Sequence, residues 1–84
     1  MKIREYQYQE TNISNCQERV IECESWTWYL NYLLCRSVRH NLPYPSIPRN
    51  SKIEEILYID NTKIVCKYKH WKMSGWMIHV AEVL

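Results

Sequence analysis

The 84-residue chain contains no phenylalanine, a single glycine, Gly75, and a single alanine, Ala81. Each scarcity excludes something. One glycine leaves no Gly-rich loop to cradle a phosphate, and neither a P-loop nor a Gly-x-Ser-x-Gly turn can be drawn through it. Without Phe, all the aromatic bulk falls to four Trp and seven Tyr. These rings suit places where one end is dry and the other wet, so an exposed or half-exposed aromatic surface is expected. Scarce Gly and Ala beside abundant Ile, Tyr, Asn and Lys indicate AT-rich coding, as in a low-GC bacterium, its phages or plasmids, or another virus.

Long apolar runs are also missing. The longest, from Trp26 to Leu34, is interrupted by Thr27 and Asn31 and falls short of the ~20 residues a membrane span needs. The segment Met1-Lys2-Ile3-Arg4-Glu5-Tyr6 has no apolar stretch of the signal-peptide kind. Cys16, Cys23, Cys35 and Cys66 form no Cys-x2-Cys pair. The cysteines are therefore read as reduced thiols and the protein as cytoplasmic, with no membrane partner.

The length suits one domain spanning residues 1–84. Lys2 to Gln9 reads as a strand with Tyr6 and Tyr8 on one face. From Cys16 to His40 the apolar period becomes helical, with Cys16, Val20, Cys23, Trp26, Leu30, Leu33, Leu34 and Val38 on one stripe. Ser14 with Gln17, or Asn15 with Glu18, would form a capping box, and Asn41 followed by Pro43 would end the helix. Such a helix invites a bend or break near Ser25. Pro43, Pro45 and Pro48 mark an extended connection. Three antiparallel strands follow: Lys52 to Ile59, Lys63 to Trp71 and Trp76 to Val83, with turns at Asp60-Asn61 and Ser74-Gly75. The expected class is α+β, one long helix packed on a small antiparallel sheet, in the order β-α-β-β-β.

Four constellations bear on chemistry. Cys66, His70 and His79 could share a face if Ser74-Gly75 closes a two-residue hairpin, but a structural zinc site wants four ligands, and no metal or other cofactor is expected. No nucleophile stands beside a base in a recognisable motif, and Glu54 and Glu55 point to opposite faces of a strand. The chain is therefore read as no enzyme. Lys63, Lys67 and Lys69 share a strand face, with Trp71 and Lys72 following, and this offers charge for phosphates and a ring for stacking. Residues 25–84 carry eight basic and four acidic residues, against three and five in residues 1–24.

The fourth is a second stripe on the helix. Trp28, Tyr29, Tyr32 and Arg39 lie away from the main apolar face, and these residue types dominate interface hot spots. Alternatively the Pro-rich segment folds back, and Tyr44 and Ile47 cover that stripe. The leading expectation is a non-enzymatic protein-binding module using Trp28, Tyr29, Tyr32 and Arg39. A phage- or mobile-element-encoded inhibitor of a host or defence protein, of the anti-CRISPR kind, would fit, and a homodimer through the helix is a variant. The alternative expectation is a nucleic-acid binder using Lys63, Lys67, Lys69, Trp71 and Lys72.

Overall fold

Residues 12–22 settle the architecture. In the computed structural model, which describes residues 1–41, 47–49, 51–70, 72 and 75–84, they form a strand rather than the front half of a helix. β1 (Lys2–Gln9) turns at Glu10 and Thr11 and pairs antiparallel with β2 (Asn12–Glu22), placing Lys2 opposite Glu22 and Gln7 opposite Gln17. The charges of this hairpin pair across its two strands. Arg4 Nε donates to Glu18 Oε1 at 2.8 Å, and Arg19 Nε donates to Glu5 Oε1 at 2.8 Å. Opposite-charge pairs of this kind are worth ~0.2–1 kcal/mol each. Val20 and Ile21 add β-branched residues that favour the strand.

The expected single long helix is thus corrected to two short ones. α1 (Trp26–Leu34) begins at Ser25, whose hydroxyl accepts from the Trp28 N–H at 3.0 Å. Such a cap is worth about 1 kcal/mol, and it replaces the capping boxes anticipated at Ser14 and Asn15. Extended backbone at Cys35 separates α1 from α2 (Arg36–His40), which Asn41 closes.

The C-terminal meander follows as β3 (Ile53–Ile59), β4 (Lys63–Lys69) and β5 (Trp76–Val83). The order is therefore β-β-α-α-β-β-β, not β-α-β-β-β. All five strands form one antiparallel sheet in the spatial order β2-β1-β5-β4-β3. Asp60 holds the β3–β4 turn, its Oδ1 accepting from the N–H groups of Thr62 and Lys63 at 2.8 Å each. Gly75 enters β5 with φ +85°, a left-handed conformation that only glycine adopts without cost.

The helices lie on one face of the sheet. There Trp26, Tyr29, Tyr32 and Leu33 pack with Ile3, Ile21, Ile64, Cys66, Tyr68, Met77 and Ala81. Ile47 from the proline-rich connection joins this core. Among the described residues no helix is long and apolar enough to cross a membrane.

Candidate functional site

The helix stripe does not form a surface. Tyr29, Tyr32 and Arg39 are 0, 1 and 1% exposed, and only Trp28 of the four stays half-buried, stacked on Tyr32 with centroids 5.8 Å apart. The expectation of an open stripe fails because residues 16–23 do not belong to the helix. Without Cys16, Val20 and Cys23 the apolar stripe loses its anchor, and α1 turns its tyrosines inward while Thr27 and Leu34 face out. Ile47 packs into the same core, as the fold-back alternative requires, whereas Tyr44 lies outside the described residues. Arg39 donates through Nη1 to the Leu33 carbonyl and through Nη2 to the Ser51 carbonyl, tying α2 to the start of the meander.

Tyr29 faces inward because the sheet buries two polar groups that need it. Glu5 and His79 are both buried. The Tyr29 hydroxyl donates to Glu5 Oε2 and lies 3.0 Å from His79 Nε2. With the phenol hydrogen directed at Glu5, His79 Nε2 is placed to donate to the phenol oxygen, and the buried Nδ1 of His79 has no hydrogen-bond partner among the described residues. Burial, and next the negative charge of Glu5, push the Tyr29 phenol well above its ordinary pKa, so it remains a donor. A cavity of about 250 Å³ borders this network, lined by Glu5, Gln7, Gln17, Arg19 and His79 among others.

The register corrects the supposed Cys/His face. Cys66 stands opposite His79, while the last β4–β5 pair is Lys69 with Trp76, so His70 falls in the connecting loop. Among the described residues no group of three His, Cys, Asp or Glu could hold a metal ion. Burial pushes the Cys66 thiol up to about 12, which makes it a poor nucleophile at neutral pH.

The opposite face of the sheet is open, with no described helix packed on it. Cross-strand partners arrange it in rows. Tyr6, Val80, Val65 and Tyr58 form one row across β1, β5, β4 and β3. Tyr8, Ile78, Lys67 and Glu55 form the next, and Trp76 with Lys69 a third. The Lys67 and Lys69 ammonium groups sit 4.7 and 4.9 Å from the Trp76 ring centroid. Lys63, Lys67 and Lys69 therefore share this face, as alternation along the strand requires, and Lys72 is exposed in the loop. Trp71 lies outside the described residues. Sequence reasoning missed Tyr6 and Tyr8 as neighbours of these lysines, because only the strand order brings β1 beside β5, and missed Trp76 because the β4–β5 register is not the one a two-residue turn would set.

The two sheet edges differ in character. Along β2 the outer side chains are chiefly Asn12, Ser14, Asn15, Cys16, Gln17 and Glu18, with Ile13 and Val20 the exposed apolar exceptions. Along β3, Ile56, Leu57, Tyr58 and Ile59 are 44, 47, 50 and 47% exposed, an unbroken apolar run. The β3–β4 register also slips between Ile53 and Glu55 and between Ile56 and Tyr58, so the edge is bulged. No family model matches the chain, and neither a curated protein nor a solved structure matches it significantly.

Proposed function

We propose that the chain is a non-enzymatic protein-binding module whose contact surface is the β3 edge. The observation that carries this reading is the run Ile56-Leu57-Tyr58-Ile59, four consecutive large side chains each about half exposed on an edge strand. Edge strands ordinarily guard themselves with charge, proline or bulges. β3 carries the bulges but leaves its last four residues without a charge, where β2 is polar over most of its length. Bulges make main-chain pairing irregular, so the partner is gripped chiefly through side chains.

Magnitude limits the claim usefully. Burying the exposed halves of four such side chains yields about 3–6 kcal/mol. Association itself costs ~4–15 kcal/mol, so the footprint must extend further. Leu34 of α1 is a further exposed apolar side chain. A chain of this size acts by occupying a partner's surface. Its extension to a phage- or mobile-element-encoded inhibitor of a host or defence protein rests on the small size, the AT-rich coding, the lack of a catalytic motif and the Trp/Tyr-rich composition. A homodimer joined at β3 belongs to the same reading.

A photo-crosslinking residue at position 57, in cells that express the chain, tests it. The expected result is one discrete adduct, absent when the crosslinker sits at position 15 on the polar edge and lost in a Leu57→Lys/Ile59→Lys background. An adduct of twice the chain mass identifies the partner as a second copy. Equal labelling from both edges, or none from position 57, would overturn the proposal.

A further inference from the structure

We propose that the open face of the sheet is a second, independent binding surface, and that its ligand is single-stranded nucleic acid. The argument begins with strand geometry. Alternate residues of a strand point the same way and rise about 6.7 Å, so Lys67 and Lys69 present ammonium groups about one nucleotide of extended strand apart. Lys63 continues the same face of β4 two pleats further on. Lys67 also lies 3.4 Å from Glu55, whereas Lys69 and Lys63 have no carboxylate partner among the described ion pairs.

Rings stand beside these cations. Trp76 pairs with Lys69 across β4 and β5, and Tyr8 lies beyond Ile78, which pairs with Lys67. Tyr6 stands at the β1 end of the next row. Ile78 and Val80 lie on this same face outside the main core cluster, yet are 5 and 3% exposed. Cations beside half-exposed rings on an open sheet are what a single strand needs, with charge for its phosphates and π-faces for bases that are not already stacked in a duplex.

The Trp76 ring is engaged by two lysines in the free chain, and magnitudes decide whether a base can take their place. A cation–π contact at an exposed site is worth ~0.5–1 kcal/mol, while a base stacked on an aromatic side chain is worth ~1–3 kcal/mol. The two contacts together, ~1–2 kcal/mol, about match one stacked base, and the displaced ammonium groups, free to move to the phosphates on either side, favour the exchange. At the far end of the face Arg4 is held between Glu18 and Glu82 at 2.8 and 3.2 Å, and Glu22 lies 3.5 Å from the Met1 ammonium, so Arg4 is not counted among the phosphate contacts.

Fluorescence anisotropy with a dye-labelled single-stranded oligothymidine, and with the matching oligouridine, tests the assignment. With three lysines on the phosphates, the logarithm of affinity should fall against the logarithm of salt with a slope of about −2 between about 50 and 200 mM. Lys69→Gln should make that slope shallower by about 0.7. Tyr8→Ser, a substitution of a half-exposed ring, should weaken binding at least about fivefold, the equivalent of one lost stacking contact, and leave the slope unchanged. Leu57→Lys/Ile59→Lys should leave the stacking contribution intact, because that edge is a different surface. No binding at low salt, binding indifferent to salt, tighter binding of the duplex, or full affinity in both Lys69→Gln and Tyr8→Ser would overturn it.

Discussion

At the residue scale, Glu5 is a charged group that the fold buries. A carboxylate with 1% of its surface exposed is tolerated only when its oxygens are satisfied. Arg19 donates to one oxygen, and Tyr29 to the other with His79 Nε2 at 3.4 Å. Tyr29 is also stacked on Trp26 with centroids 5.5 Å apart, so the ring has little freedom to leave. Tyr29→Phe keeps the packing and removes only the hydroxyl. Because a hydrogen bond to a charged group is worth ~1.5–3 kcal/mol, unfolding free energy should fall by about that much. Urea titration measures it, and the midpoint should shift without a change in slope. A loss under about 0.5 kcal/mol would mean that Arg19 and the surrounding groups satisfy Glu5 on their own. This network also shows where sequence reasoning was blind. Glu5, Tyr29 and His79 are distant in sequence, and nothing in their local patterns says that they meet.

At the scale of elements, the strands differ in how legible they were. β1 and β5 were read with the bounds the structure gives them, and β3 and β4 nearly so, because β-branched and aromatic residues crowd them and Asp60-Asn61 and Gly75 punctuate them. β2 was illegible for physical reasons. It is an edge strand, polar on both sides, so it carries no period-two signal, and only Ile21 reaches the core. Its turn, Glu10-Thr11, lacks the Asn-Gly or Asp-Gly chemistry that announces a hairpin. The chance spacing of Cys16, Val20 and Cys23 then completed a false helical stripe. The β3–β4 hairpin, by contrast, carries a titratable lock. The Tyr58 hydroxyl, then the backbone N–H of Thr62, hold the Asp60 carboxyl down from its usual range to about 2. A carboxyl whose pKa is lower folded than unfolded contributes stability above the unfolded value of about 3.8 and loses it as pH falls through about 2. Asp60→Asn keeps the shape but cannot titrate. Thermal melts taken between pH about 4 and about 2 should therefore fall more steeply for the parent chain than for this variant. Parallel curves would mean that the turn contributes nothing through its charge.

At the scale of the whole molecule, the sheet order decides which surfaces exist. Placing β1 between β2 and β5 joins the two ends of the chain in the centre of the sheet and pushes β2 and β3 to its edges. From sequence, the lysine face of β4 was legible by alternation alone. Its rings were not, because Tyr8 and Tyr6 reach it only through that order, and Trp76 through a β4–β5 register other than the one a two-residue turn would set. The run Ile56 to Ile59 was legible as a strand, but nothing local distinguishes a central strand from an edge, so its exposure went unseen. The same order makes the two proposed surfaces separable, one on the open face and one along the β3 rim. A lysine pair at the rim distinguishes binding from folding. Leu57 and Ile59 are each 47% exposed, so replacing both with lysine, whose stems keep part of the buried contact, should lower stability by about 1–2 kcal/mol in all. If the apolar run existed to hold the fold, the cost would approach the 2–5 kcal/mol of a core truncation at each position. Denaturant titration of Leu57→Lys/Ile59→Lys, with circular dichroism as the probe, separates these outcomes. The smaller cost together with loss of the position-57 adduct would locate the selective value of the run in contact with another chain. A collapse in stability would return those side chains to the core.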